Sequence, residues 1–316
     1  MGMARAILLR AAASLMVIFG TMALVFVIVY MLPGDPVYQI VDPESVTPDV
    51  IENLRRQLGT DKPLAVQFAN YMSKLMQGDF GRSILNGDPV LPKIIEHFPA
   101  TLSLTVCSAL FAALIGIWLG VLSAIHRNGL IDIAARTLGL FGISMPTFWT
   151  GILLILLFSI RLGWFPAMGS DGWRTLVLPS LALGIVASGF IIRLVRNSML
   201  EVLGEPFILT LRAKGLAERM VMYRHALRNA LLPALTMIGV LIGDLMAGSV
   251  VIETVFSRQG IGRIVADALT AKDMPVIQGV ILFTAVMYVL VNLLVDLSYA
   301  IVDPRVRRLK SGGGRL

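Results

Sequence analysis

Residues 100–125 read ATLSLTVCSALFAALIGIWLGVLSAI, a stretch of 26 residues without a single charged side chain. An α-helix rises 1.5 Å per residue and the hydrocarbon layer of a bilayer is about 30 Å thick, so roughly 20 apolar residues are enough to cross it. The stretch is longer than that. It therefore predicts a membrane-spanning helix.

Five further apolar stretches predict an all-α, polytopic membrane protein with six transmembrane helices. The chain of 316 residues is 56% hydrophobic and 15% charged, whereas a typical soluble domain is about 25% charged. Pro146 in the third stretch and Pro179 in the short fourth one are expected to break helices. The five stretches are 11–32, 138–160, 176–192, 231–252 and 275–302.

The first stretch is predicted to be a retained anchor helix and not a signal peptide. Its apolar run of about 22 residues is longer than the 7–15 residues of a signal peptide's apolar region. The segment that follows, Leu32-Pro33-Gly34-Asp35-Pro36, lacks the small-residue pattern of a cleavage site.

Lys and Arg are distributed unevenly between the segments that join the six stretches. One group of segments carries 16 of the 27 basic residues and 5 of the 20 acidic ones, and the other carries 11 and 13. Since basic loops stay in the cytoplasm, the first group and both termini are predicted to be cytoplasmic. Charge spread over loops in this way argues against nucleic-acid binding. The cytoplasmic group is 1–10, 126–137, 193–230 and 303–316, and the extracytoplasmic group is 33–99, 161–175 and 253–274.

Two of these loops are too long to be simple connectors. The loop 33–99 contains helix-like pieces, Pro48–Leu58 and Leu64–Leu75, and Thr47 with Pro48 suits a helix start. In 193–230, apolar and basic residues alternate at helical spacing on either side of Gly215. This pattern predicts an amphipathic helix, a break at Gly215, and a second short helix.

Small residues recur at every fourth position of three spans and so share one helix face. They permit close helix packing in lipid, either inside this bundle or against a second membrane-spanning chain. The three sets are Ala112, Gly116, Gly120 and Ala124; Ser180, Gly184 and Ser188; and Gly239, Gly243 and Ala247.

The motifs of catalysis and of nucleotide or metal binding are absent from the sequence. No Gly-Lys dipeptide occurs, so there is no phosphate-binding P-loop. The three histidines, His97, His126 and His225, lack metal-ligand spacing. Two isolated intramembrane carboxylates, Asp244 and Asp296, do not form a proton relay. The chain is therefore expected to be neither an enzyme nor a metal protein. The lack of a proton relay also makes an ion-coupled secondary transporter a less favoured interpretation.

Residues 211–233, LRAKGLAERMVMYRHALRNALLP, resemble the EAA loop of ABC importer permeases. Ala213 and Gly215 match the core of that motif and Leu232-Pro233 matches its end, while Leu211-Arg212-Ala213 replaces the leading Glu-Ala-Ala. This variant resembles the dipeptide/oligopeptide/nickel permease family, B-type subunit. Further stretches agree with the family, in chain order: 32–36, Gly78-Asp79-Phe80-Gly81-Arg82-Ser83, 144–149, Glu253-Thr254-Val255-Phe256 with Gly260-Ile261-Gly262, and Asp303-Pro304-Arg305.

The resemblance implies a type I ABC importer permease fold in a bacterial inner membrane, with a five-helix core at 100–302 and a coupling loop at 200–233. It implies four kinds of partner: a C-type permease subunit, one or two cytoplasmic ATPase subunits, an extracytoplasmic binding protein, and the bilayer. ATP and Mg²⁺ would bind the ATPases, with no cofactor on this chain. The expected substrates are di- and oligopeptides, and nickel chelates or glutathione remain alternatives.

Two sets of candidate site residues follow. The coupling loop is expected to dock on the ATPase, with its apolar side chains in a groove and Arg212, Lys214 and Arg219 paired with carboxylates at the rim. The coupling set is Leu211, Arg212, Ala213, Lys214, Gly215, Leu216, Glu218, Arg219 and Met220. The predicted pore-lining set, chosen by depth and polarity, is Met145, Phe148, Ser188 and Asp244, with Asp244 meeting a peptide's amino terminus.

The outer loops are expected to dock the binding protein. The segment 33–99 is long and helical in pattern, and the shorter stretch 256–274 offers Phe256 and Ile261. The alternative is that these loops only cap the bundle.

Overall fold

The computed structural model describes residues 2–31, 37 and 46–302, without the side chains of 2–11, 57–58, 236 and 295–302. The motifs at 32–36 and at Asp303-Pro304-Arg305, and the predicted tail 303–316, lie outside the described residues. Within them the chain is helical, and the one pairing of extended backbone is an isolated bridge between Arg82 and Pro89. The all-α prediction is confirmed.

Eleven helices occur in the described ranges. They are α1 (Gly2–Met31), α2 (Pro48–Leu58), α3 (Leu64–Met76), α4 (Val90–Ile125), α5 (Leu130–Ser144), α6 (Thr147–Arg161), α7 (Arg174–Leu203), α8 (Pro206–Ala213), α9 (Glu218–Val255), α10 (Ile261–Ala271) and α11 (Met274–Val302). The predicted pieces 48–58 and 64–75 are α2 and α3. Thr47 precedes α2 with Pro48 in its first turn, but the Thr47 side chain makes no capping hydrogen bond.

Five helices, α1, α4, α7, α9 and α11, are long and apolar enough to cross a membrane. A sixth span results if α5 and α6 are counted together. These two helices meet at an angle of 108°, so the third stretch, 138–160, is broken at Pro146 as predicted. The break follows from Pro146, which disfavours helical backbone at the preceding residue, and Met145 is extended with φ −86° and ψ 130°.

Pro179 does not break a helix, contrary to the prediction. It lies near the start of α7, which continues to Leu203. A proline removes one backbone hydrogen bond, and the rest of this long, largely buried helix supports the backbone around it. The fourth span is therefore longer than the predicted 176–192.

The chain divides into two compact units. The first contains residues up to Pro99 together with Arg263–Val289. In it Phe26 of α1 packs against Phe68 and Tyr71 of α3, with ring centroids 5.2 and 5.8 Å apart. The buried Asp273 carboxylate accepts hydrogen bonds from the Ser83 hydroxyl and, at 3.2 Å, from the Ile84 amide. This contact anchors the 78–83 motif beside the start of α11.

The second unit contains Ala100–Gly262 and the chain from Leu290 onward. In it α4 packs against α7 through its small-residue face. A Cβ atom at Gly116 would lie 2.6 Å from the Ile191 side chain, and one at Gly120 would lie 2.8 Å from Val195. For this face, the structure supports packing inside the bundle over packing against another chain.

Candidate functional site

The candidate coupling segment is a short helix between two long ones. α7 ends at Leu203, and Pro206 provides the first residue of α8 with a backbone angle already suited to a helix. Ile208 of α8 is fully buried in the core of the second unit. The segment is therefore fixed to the bundle by one apolar anchor, while most of its other residues are exposed.

Gly215 ends α8 in the left-handed conformation, with φ +77°. Its amide donates to the carbonyl of Arg212 at 2.9 Å, and the Leu216 amide donates to the carbonyl of Leu211 at 3.3 Å. These two bonds form a Schellman motif, which satisfies the last carbonyls of a helix and turns the chain sharply. The predicted helix and the break at Gly215 are thus confirmed, whereas the predicted second short helix is the start of the long helix α9, Glu218–Val255.

Arg212 and Glu218 form an ion pair across this turn. The Arg212 Nη2 donates to Glu218 Oε1 at 2.6 Å, and its Nε donates to Oε2 at 3.1 Å. Hydrogen bonding to the carboxylate raises the pKa of Arg212 above its ordinary value. Arg212 was expected to pair with a partner's carboxylate, and in this structure it is already paired within the chain.

The apolar residues of the coupling segment differ in exposure from what was predicted. Leu211 and Leu216 are half-buried and pack against the core of their own chain. They therefore do not need a partner surface, and that part of the expectation is corrected. The apolar side chains that remain exposed in the coupling region are Phe207 40%, Leu209 71%, Met220 44% and Tyr223 50%.

Met220 and Tyr223 border an open hollow of about 540 Å³ at the start of α9. Ala217 and two exposed arginines, Arg219 and Arg224, complete its lining. Neither arginine has an ion pair among the described residues. Basic groups around an exposed apolar surface suit a protein partner that brings acidic side chains to the rim. Ala213 and Lys214 are exposed on the adjacent turn.

The predicted coupling set did not include Tyr223, Arg224, Phe207 or Leu209. A wide π-type turn over Val221–Ala226 changes the helical register at the start of α9. Periodicity drawn for a regular helix misplaces side chains next to such a turn.

A buried charge cluster near the coupling segment was also missed. The Asp132 side chain at the start of α5 has no exposed surface. Its carboxylate accepts hydrogen bonds from Arg196 Nε at 2.7 Å and Nη2 at 2.9 Å, and from the Ser123 hydroxyl at 2.6 Å. The Asn128 amide donates to it at 2.9 Å, and Arg136 lies 3.4 Å away. One acid within a basic loop is the only sequence signal of this cluster.

A second buried carboxylate explains the Glu253 motif. Glu253 is fully buried, and it accepts hydrogen bonds from the Thr101 hydroxyl at 2.6 Å and the Gly262 amide at 2.8 Å. A side chain at Gly260 would collide with the same carboxylate. Nearby, burial lowers the pKa of Arg258, and the charge of Glu253 partly opposes this effect.

Phe256 and Ile261 were expected to contact a binding protein, and the structure corrects this. Their exposed fractions are 1% and 4%, and a Cβ atom at Gly151 would lie 3.0 Å from the Phe256 ring. Both side chains therefore contribute to the packing of the chain itself.

Among the described side chains, no hydrogen bond, ion pair or ring contact joins the four pore candidates to one another. Met145 is half-buried at the α5–α6 break, and Phe148 is 46% exposed. Ser188 is buried and donates to the Ile185 carbonyl of its own helix at 2.7 Å, so it presents no surface to a substrate in this conformation. Asp244 is exposed on α9 and has no ion pair within the described ranges.

No group of three or more His, Cys, Asp or Glu side chains in the described part of the chain could hold a metal ion.

Comparison with known proteins gives consistent matches along the chain. Residues 116–308 match the family model described as "Binding-protein-dependent transport system inner membrane component", and residues 3–105 match the corresponding N-terminal model. The glutathione transport system permease protein GsiC of Escherichia coli (strain K12) is 43% identical, over 92% of this chain and 94% of that protein. The GsiC protein of Salmonella typhi is 43% identical over 90% of this chain and 92% of that one.

Solved structures share the fold at low sequence identity. An inward-facing form of the MetNI methionine ABC transporter matches with a TM-score of 0.59 and 20% identity, covering 68% of this chain and 98% of that one. An amino acid ABC transporter matches with a TM-score of 0.51 and 17% identity, covering 68% of this chain and 94% of that one. Identities this low carry information on the fold alone.

Proposed function

Because the chain belongs to the family of binding-protein-dependent transport system inner membrane components, we propose that it forms the pore of an ATP-driven importer of short peptides together with a second permease subunit. Membership makes the chain a permease subunit of an ABC importer, with the fold of that class. It is not itself an enzyme, since ATP hydrolysis in such importers belongs to separate subunits.

The observation that carries the coupling role is the exposed apolar and basic surface around the Gly215 turn. Met220, Tyr223 and the two arginines Arg219 and Arg224 border one hollow, and they lie on a segment predicted to be cytoplasmic. An apolar surface with no bilayer to enter needs a partner to cover it. We assign this surface to the ATPase subunit. The nine residues 211–216 and 218–220 remain the predicted coupling set. Within it, the half-buried Leu211 and Leu216 support the turn from the core side, and the exposed Arg212–Glu218 pair closes it from the outside.

The proposed substrate class rests on the relatives. The GsiC proteins are named for glutathione transport, and glutathione is itself a tripeptide with a free amino group and free carboxylates. We therefore propose short peptides, glutathione among them, as substrates. Nickel chelates are the competing possibility.

The remaining parts of the proposal concern orientation and assembly. The N-terminus, 193–230 and 303–316 face the cytoplasm, and 33–99 faces outside, where an extracytoplasmic binding protein delivers substrate. A C-type permease subunit completes the pore, and one or two ATPase subunits bind below it. The basic bias of the cytoplasmic loops supports this orientation.

Uptake by the reconstituted complex tests the proposal. The chain would be co-expressed with its partner permease, ATPase and binding protein, and the complex would be placed in proteoliposomes. Radiolabelled glutathione, radiolabelled trialanine and ⁶³Ni²⁺ with histidine as chelator would be supplied with binding protein outside and ATP inside. A complex whose ATPase lacks its phosphate-binding lysine is the matched control.

We expect accumulation of at least one of the two peptides that requires both ATP and binding protein. Accumulation of nickel alone would replace the peptide assignment with the nickel one. Uptake that continues with the inactive ATPase and follows an ion gradient would overturn the ABC mechanism itself.

A further inference from the structure

Helices α5 and α7 pack along an antiparallel seam that begins at the Asp132–Arg196 ion pair. Further along, a side chain at Gly189 of α7 would collide with the Gly139 carbonyl of α5, and a Cβ atom at Gly142 would lie 2.7 Å from the Ile185 carbonyl. Residue numbers of the contacting positions fall along α7 as they rise along α5, so the two helices run antiparallel. The two backbones are therefore in close contact over several turns.

The two ends of the seam lead to different parts of the molecule. Arg196 lies about two helical turns before α7 ends at Leu203 and passes into the coupling segment. From Asp132, α5 runs for roughly 20 Å to the break at Met145 and Pro146. The seam thus connects the coupling segment with the bent helix pair.

The Asp132–Arg196 ion pair makes the seam resist sliding of one helix along the other, which glycine packing alone does not do. Close backbone contact opposes approach, but two smooth helix faces can still slide along each other. The Asp132–Arg196 bonds are bidentate, at 2.7 and 2.9 Å, and such bonds are directional. The Ser123 hydroxyl and the Asn128 amide also donate hydrogen bonds to this carboxylate. Sliding of α5 along α7 would break these bonds in a buried place.

We propose that Asp132 and Arg196 are positioning residues that make α5 move together with α7, so that a displacement of the coupling segment reaches the helix break at Pro146. The inference rests on the proposed function, because it assigns a path to the motion that ATP hydrolysis drives. Neither residue contacts the substrate or the ATPase in this proposal.

The test removes the pair without leaving an unpaired buried charge, which would endanger folding. The double variant Asp132→Asn with Arg196→Gln keeps most of the volume and loses both charges. Arg196→Lys keeps the charge and loses the bidentate geometry. The matched control is Arg127→Gln, which neutralises an exposed charge between α4 and α5.

Two quantities are measured for each reconstituted complex: glutathione and trialanine taken up per ATP hydrolysed, and the distance between spin labels. The labels are placed on cysteines at Leu130 of α5 and Glu201 of α7, both exposed, in a Cys107→Ser background. The complexes are compared without nucleotide and after trapping with ATP and vanadate.

We expect the double variant to assemble and hydrolyse ATP while its uptake per ATP falls about tenfold, with Arg196→Lys between it and the wild type. The label distance should stay constant on trapping in the wild type and change in the double variant. An unchanged uptake-to-ATP ratio in a well-assembled double variant overturns the inference and leaves the proposed function intact. Failure of the wild-type complex to take up either peptide counts against the proposed function. The label distances then test the inference by themselves, since a distance that changes on trapping in the wild type would contradict joint movement of α5 and α7.

Discussion

The Arg212 guanidinium and the Glu218 carboxylate are joined across the Gly215 turn by two hydrogen bonds of 2.6 and 3.1 Å. Arg212 is the second-last residue of α8, and Glu218 is the first residue of α9. The pair therefore closes the turn from the outside, while the Schellman bonds close it along the backbone. Both side chains are about half exposed, at 41% and 53%, so the pair shapes the turn more than it stabilises the fold.

Reversing the Arg212–Glu218 pair should preserve transport. Arg212→Glu or Glu218→Arg alone places like charges across the turn and should reduce uptake, whereas the double reversal restores an attractive pair. Exposed ion pairs contribute about 1 kcal/mol or less, so the melting temperature should change little in all three variants. If the double reversal transports as poorly as Arg212→Glu, Arg212 acts on the ATPase and not on Glu218.

Replacing Gly215 should uncouple the complex without unfolding the chain. No atom lies within 4 Å of a Cβ at Gly215, so the cost of Gly215→Val comes from its φ of +77°. A left-handed conformation costs an L-residue roughly 1–2 kcal/mol, and more if it is β-branched. We expect normal insertion and assembly, with loss of transport and of transport-stimulated ATP hydrolysis. Gly204→Ala is the control, since φ there is −83°. Full transport by a well-expressed Gly215→Val complex would contradict the assignment.

Gly260→Ala should destabilise the second unit, because the added methyl group meets the buried Glu253 carboxylate. Overpacking a closely packed site typically costs about 1–3 kcal/mol. The comparison is Gly248→Ala, whose methyl group would meet only the tip of the Leu183 side chain at 3.3 Å. Thermal unfolding of the purified chain in detergent measures both. Equal melting temperatures for the two variants would show that the loop after α9 can move to accommodate the methyl group with little loss of stability.

Cysteine labelling tests the predicted orientation. Gln77 and Lys214 are both exposed and lie on opposite sides of the membrane in the prediction. In a Cys107→Ser background, a membrane-impermeant maleimide should label Gln77→Cys in whole cells and Lys214→Cys only after permeabilisation. The reverse pattern would invert the orientation and remove the coupling assignment with it.

Asp244→Asn tests the predicted contact with a peptide's amino terminus. Val240 and Val251 share the exposed face of α9 with Asp244, and a carboxylate on such a face is costly against lipid. Unlabelled trialanine and unlabelled N-acetyl-trialanine, which lacks the free amino terminus, would be compared as competitors of radiolabelled trialanine uptake. In the wild type, trialanine should be the stronger competitor. In the variant this difference should shrink about tenfold, the loss of one charge-assisted hydrogen bond. Wild-type transport of every substrate by Asp244→Asn would remove this role.

The parts of the fold that could be predicted depend on neighbouring residues. Apolar length marks the spans, Pro48 marks the start of α2, and a glycine between two amphipathic runs marks the turn at Gly215. These signals are local, because the main-chain conformation responds first to adjacent residues. The prediction was less accurate at Pro179, where the buried surroundings of α7 outweigh the missing hydrogen bond.

The contacts that could not be predicted join distant positions. Asp132 and Arg196 are 64 residues apart, and Thr101 and Glu253 are 152 apart. The sequence around each of these residues does not indicate which distant residue it contacts. Exposure of the coupling residues was also predicted poorly, since Leu211 and Leu216 pack against the core of the chain, which the local pattern does not reveal.

The wide turn over Val221–Ala226 constrains how the sequence of this region can change in length. Such a turn holds one residue more than a regular helical turn. Loss of that residue would restore an ordinary helix and rotate everything before it by about 100° relative to the rest of α9. Met220 and Arg219 would then face another side of the molecule with their chemistry unchanged. A substitution in this turn therefore leaves the helical register unchanged, whereas a deletion of one residue reorients the whole preceding segment.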